Sequence, residues 1–148
     1  MRKAVVDRFV SMINAHDLSR LAEVVADDVV EESPIVVDAP TDGGIETFRA
    51  GWEQMLTSFP DIHVTVNGMI EQDDTVAARI TLRATNTGFY RRAEATLRSA
   101  EWSGFMWIRL RDGKIVHFHG QTDRFGVLQQ LGFIESDDEL AAKVNAAN

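Results

Sequence analysis

Apolar residues recur every three or four positions up to about residue 60 and every second position after it, so the chain reads as helices followed by strands. Val5, Val6, Phe9, Val10 and Ile13 form one stripe, which predicts a first helix that stops near His16. Leu18, Leu21, Ala22, Val24 and Val25 predict a second, shorter helix, opened by Asp17 as N-cap and ended before Asp27-Asp28. Residues 29–37 read as a short strand broken by Pro34, and the segment from Pro40 to Gly44 as a loop, a candidate mobile rim. Phe48, Trp52, Met55, Leu56 and Phe59 predict a third helix; such a stripe is core packing far more often than a cofactor site. Beyond Pro60, Ile62, Val64 and Val66 alternate, as do Val76, Ala78, Ile80 and Leu82, with Asp73-Asp74 as the turn of a hairpin.

The stretch 102–132, WSGFMWIRLRDGKIVHFHGQTDRFGVLQQLG, organises the rest. Asp112-Gly113 is a strong hairpin signal, because both central residues of a type I′ turn need positive φ. If these two residues are the whole loop, Leu110 faces Ile115, Met106 faces His119 and Trp102 faces Asp123. His117, His119, Gln121 and Asp123 then share one face of the last strand, and polar residues on an inward face suggest a pocket. Residues 96–110 read as a long strand bending at Gly104, and residues 125–131 as a short helix that Gly132 ends. Residues 134–148 read as a frayed terminal helix. The order predicts an α+β fold, with helices on one face of a curved, mainly antiparallel sheet.

Composition narrows the function. The chain has 148 residues, 45% of them hydrophobic, enough for one cored domain over residues 1–148, with 135–148 as a tail. A net charge of −8, from 15 basic and 23 acidic residues, argues against nucleic acid and against an anionic membrane. Cysteine is absent, so disulfides and thiolate metal sites are excluded. The basic start Met1-Arg2-Lys3 leads into no apolar signal core, and no run approaches spanning length, so a soluble cytoplasmic protein is expected. No GxGxxG, P-loop or GxSxG motif occurs, which leaves no sequence support for a dinucleotide, a nucleoside triphosphate or a serine nucleophile; without an HExxH pair a zinc site would need His117 and His119 plus distant carboxylates, a weak signal, and no metal is expected.

Several segments together, FPDIHVTV with EQDDTVAARITL and TNTGFY, FMWIRLRDGKIVHFH, then TDRFGVLQQLG, preceded by HDLSRL and DDVVEESP, resemble the SnoaL-like polyketide cyclases of the nuclear transport factor 2-like superfamily. The resemblance implies a cone-shaped fold, with N-terminal helices packed on a strongly curved, mainly antiparallel sheet that encloses a pocket. It also implies cofactor-free chemistry, in which an aspartate at the position of Asp123 is acid and base in an intramolecular aldol closure. The chain departs from the family pattern at His119, usually tryptophan, at Asn86 and Glu32, commonly histidine, and at Met106, often histidine. The pocket is relined, so the aspartate transfers and the substrate does not.

Asp123 also precedes a helix, and its bland role is an N-cap. As a pocket acid it needs burial, since an aromatic wall such as Trp102 favours a neutral carboxyl group. His119 is the second catalytic candidate, as base or as hydrogen-bonding partner of the substrate, set against an ordinary half-exposed strand histidine. Trp52, Phe59, Trp102 and Met106, with Met55 and Met69, are expected to wall the cavity, and Asn86, Glu32 and Tyr90 to form its polar fringe. His16 and His63 read as helix-end and strand-surface residues, His117 as a sheet-edge or interface residue, and Arg79 and Arg109 as sheet-face or dimer-interface ion pairs. The leading reading is a cofactor-independent cyclase or isomerase acting on a small apolar carbonyl compound. Its rivals are a lyase or epoxide hydrolase on the same fold, though no second aspartate accompanies Arg79, and a non-catalytic binding or dimerisation module. Phe105, Trp107 and Phe118 are expected on the convex sheet face, as the patch of a homodimer.

Overall fold

The computed structural model describes residues 1–32 and 43–148. Helix α1 (Arg2–Asn14) buries the expected stripe from Val5 to Ile13 and ends at Ala15, before His16 turns the chain at φ 56°. The second expected helix is only a 3₁₀ turn, Leu21–Glu23, running into strand β1 (Val25–Glu31). Asp17 is not its cap; the carboxylate accepts from the Ser19 amide in a local turn. The β-branched pair Val24-Val25 favours extended backbone, and β1 then alternates with Val25, Val29 and Glu31 inward. The remainder of the strand expected over residues 29–37, and Pro40 of the expected rim, lie outside the described residues. Gly44 is no loop residue: it opens α2 (Gly44–Ser58), which buries Ile45, Phe48 and Trp52.

Strands β2 (His63–Gln72), β3 (Thr75–Thr85), β4 (Ser99–Arg111) and β5 (Lys114–Thr122) follow, then α3 (Arg124–Leu131) and α4 (Asp137–Ala147). The five strands form one sheet in the order β1-β5-β4-β3-β2, antiparallel except for the parallel pair of β1 and β5. Helix α1 packs on β2, α2 on β1 and α3 on β4. Phe9, Phe48, Trp52 and Phe118 meet at the centre of the core, with ring centroids between 5.3 and 6.4 Å. Helix α4 buries no residue.

The α+β nuclear transport factor 2-like arrangement is present, but the strongly curved sheet enclosing a pocket is not. The sheet is open, with β1 and β2 as separate edges. Tight coiling needs bulges or kinks in the central strands. Register shifts occur in β2 beyond Val66 and in β5 beyond Ile115, but at the middle of the sheet β3 and β4 pair without interruption from Thr75–Arg109 to Thr85–Ser99, and Gly104, the expected bend, pairs straight across with Ile80 and Thr122.

The last hairpin carries the second correction. Asp112 and Gly113 have φ 52° and 77°, as the type I′ turn requires, and Leu110 does face Ile115. Arg109, however, faces His117, because Ile115 and Val116 together oppose Leu110 in a β-bulge. From there on β5 runs one residue out of the simple register: Met106 faces Gly120, Trp107 faces His119 and Gly104 faces Thr122. A one-residue slip moves every side chain to the other face. Phe118, expected outside, is buried in the aromatic core, while His117 and His119 lie on the outer face beside the exposed Phe105 and Trp107.

Candidate active site

Between α2 and the inner sheet face lies a cavity of about 300 Å³. Helix α2 supplies Trp52, Gln54, Met55 and Ser58; β3 supplies Ile80 and Leu82; β4 supplies Trp102 and Met106; β5 supplies Phe118 and Gly120. Phe59, Tyr90, Val127 and, at the rim, the largely exposed Phe105 complete the apolar wall, and Arg91, Gln121, Thr122 and Arg124 are its further polar members. Tyr90 is fixed by packing on Phe59 and Phe133, at 5.6 and 5.5 Å. Its amide and carbonyl both bond Ala93, closing a tight turn in which Arg91 takes φ 55°.

Among the described residues, Glu31 is the acid of this lining. It pairs with Phe118 in the parallel register, is in phase with Val29, and is only 6% exposed. Trp52 also faces the cavity, and its indole Nε1–H is buried with no acceptor among the described residues. A buried donor left unsatisfied costs about 1–3 kcal/mol, so a carbonyl oxygen in the cavity is the partner that would relieve it.

The structure brings Trp52, Phe59, Tyr90, Trp102, Met106 and Met55 together on this wall. Met69 packs elsewhere on the core. Asn86 is fully buried but spent on backbone: its amide donates to the Ser58 and Gly88 carbonyls, and its oxygen accepts from the Thr96 amide. It braces the loop that carries Tyr90 and does not line the cavity. Asp123 is exposed, and its Oδ1 accepts the Gly126 amide at 2.9 Å as the N-cap of α3. Its own amide bonds Ser103 and not Trp102, so the expected pairing with the indole is absent. The bulge accounts for this, because β5 reaches its end one residue late against β4.

His119 and Glu32 meet on the other side of the sheet. The Glu32 carboxylate accepts from His117 Nε2 at 2.9 Å and lies 3.0 Å from His119 Nδ1, while His119 Nε2 lies 3.3 Å from Gln121 Oε1. The hydrogen bond from His117, reinforced by the charges of His117 and His119, holds the Glu32 carboxyl below its ordinary value. Among the described residues no group of three or more histidines and acids is arranged to hold a metal ion, and no helix is long and apolar enough to cross a membrane.

The family model for SnoaL-like polyketide cyclase matches residues 3–131. The chain belongs to the SnoaL-like polyketide cyclase family. Solved structures agree. AclR from Streptomyces galilaeus, a candidate hydroxylase, is 27% identical with a TM-score of 0.78, over 99% of this chain and 92% of that one. IdmH from Streptomyces antibioticus, a candidate polyketide cyclase, is 27% identical with a TM-score of 0.76, over 89% and 99%. TsrD from Streptomyces laurentii has the same fold, at 20% identity and a TM-score of 0.79, over 89% and 95%. No curated protein matches the chain significantly.

The lining residues that sequence reasoning missed include Arg91, Arg124 and Glu31, the last one position before the polar fringe residue it named. The signal was there: in a period-two strand Glu31 is in phase with Val29 and Glu32 is not.

Proposed function

We propose that this member of the SnoaL-like family is a cofactor-independent acid–base enzyme, moving a proton at carbon in a small apolar carbonyl compound, as in an intramolecular aldol cyclisation or an isomerisation. The observation that carries the reading is Glu31, a carboxyl group buried on the wall of an otherwise mainly apolar cavity. Its carboxylate takes the proton from the carbon beside the substrate carbonyl. The Trp52 indole N–H donates to the carbonyl oxygen, where enolate charge develops. In a ring closure the enolate carbon bonds a second carbonyl carbon, and the resulting alkoxide takes back the proton from Glu31. Tyr90, Phe59, Trp102 and Met106 hold the apolar body.

Asp123, the acid that the family pattern suggests, is a second reading. It stands between Thr122 and Arg124, both on the cavity lining, and would need to leave its cap to act. His119 is given no role in either: it stands on the outer side of the sheet beside Gln121 and is not itself a lining residue. The outer face, with Phe105 61% and Trp107 57% exposed, supports pairing of two copies sheet to sheet.

The test is exchange of the methyl protons of 2-acetonaphthone with deuterated water, followed by NMR. Glu31→Gln should lower the catalysed rate by about 10²–10⁴. Asp123→Asn, which keeps capping ability, should change it little. Loss in Asp123→Asn with activity kept in Glu31→Gln would transfer the role to Asp123. Binding without exchange in the parent protein would make the chain a non-catalytic binding module.

A further inference from the structure

We propose that the compound taken by this cavity carries a carboxylate, read by Arg91 and Arg124 while its apolar body lies against Trp102 and Met106. The inference rests on the cavity being the ligand site, and it adds the ligand's charge.

Carboxylates outnumber cations in this chain, 23 to 15, and many arginines find one. Arg2, Arg8, Arg20, Arg49 and Arg111 all have an acid within 4.0 Å. Arg91 and Arg124 have none among the described residues, yet both line the cavity. Arg79 and Arg83 on the outer sheet face, which have no acid within reach among the described residues, are exposed, as Arg124 is, but unlike Arg124 they line no cavity. Arg91 differs in being half-buried, at the edge of a mainly apolar hollow where water serves a guanidinium less well.

The backbone holds Arg91 there. The Tyr90–Ala93 turn is closed by a hydrogen bond in each direction at 3.0 Å, and a non-glycine residue at φ 55° sits in a sparsely populated region that the turn imposes. The ring of Tyr90, locked against Phe59 and Phe133, anchors the turn to the cavity wall. Arg124 approaches from the first turn of α3. The helix end is not the attraction, since it already carries the carboxylate of Asp123, which accepts the Gly126 amide. Two guanidinium forks present planar pairs of donors, which match the two oxygens of a carboxylate. Glu31 lines the same cavity, so like charge keeps the ligand's carboxylate with the arginines and leaves a neutral carbonyl group for Glu31, which gives the ligand one orientation.

Calorimetry with 6-acetyl-2-naphthoate and its methyl ester tests this on the full chain. The acid should bind at least about tenfold more tightly than the ester at low ionic strength, with the advantage shrinking as salt is added. Arg91→Asn combined with Arg124→Gln should remove the advantage, so that acid and ester bind alike; asparagine tolerates the positive φ. Equal binding of acid and ester by the parent protein overturns the proposal while the cavity remains a carbonyl site. Binding of neither overturns the cavity reading as well. A preference for the acid that survives the double substitution also overturns it, and the parent comparison decides even if that variant does not fold.

Discussion

The two pairings made by β4 differ in a way that runs against intuition. With β3 it is joined by a long connection, residues 86–98, yet the register holds without a break over eleven residue pairs. With β5 it is joined by the tightest turn available, and the register shifts immediately beyond the first pairs. A two-residue turn therefore determines pairing only as far as the next bulge. What keeps β3 and β4 in step is burial: Val76, Ala78, Ile80 and Leu82 face Ile108, Met106, Gly104 and Trp102 on the inner side, and a slip would put all of them in water. In β5 the consecutive pair Ile115-Val116, both buried, absorbs the extra residue, and everything beyond follows Phe118 inward.

The largest consequence is energetic. Phe118→Ala should cost about 3–5 kcal/mol in urea unfolding, as truncation of a core aromatic does, while His119→Ala stays within about 0.5 kcal/mol. Equal costs for the two would mean that the bulge does not set which face is inside. The outer face comes next. Trp107→Glu should weaken self-association by about 2 kcal/mol or more, as loss of a central interface tryptophan does. Sedimentation that finds the parent protein monomeric at micromolar concentration would remove the sheet-to-sheet pairing.

The smallest effect concerns the acid that the slip leaves outside. The Glu32 carboxyl is held below its ordinary value by His117 and then His119, so its folded form binds a proton less readily than its unfolded form. The stability this confers is present above the ordinary carboxylate pKa of about 4.3 and is lost as pH falls through the lower folded value. Melting curves across that range should fall less steeply for Glu32→Gln than for the parent. Parallel curves would show that the His117–Glu32–His119 contacts do not persist in solution.

Much of the fold was legible because its period was local. The stripe of α1, the alternation of β3 and β4, the positive-φ turn at Asp112-Gly113 and the left-handed Gly132 each follow from a few adjacent residues. The wall residues Trp52, Phe59, Trp102 and Met106 were legible for the same reason, since inward phase on any one element points to a shared interior. The second helix was misread because Leu18, Leu21, Val24 and Val25, all buried, satisfy a helical stripe equally well; only pairing of β1 with β5 chose the strand.

The sequence by itself determined which side of each element is apolar, because that depends on spacing alone. Which acid reaches the cavity depended on contacts far apart in the chain. Glu31 is inward because β1 lies parallel to β5 with Phe118 beside it, and Asp123 is outward because one bulge residue displaces the end of β5 against β4. A pattern of period two has only two phases, and a single inserted residue exchanges them. Local spacing cannot contain that residue's effect, since the bulge forms only once the partner strand is in place.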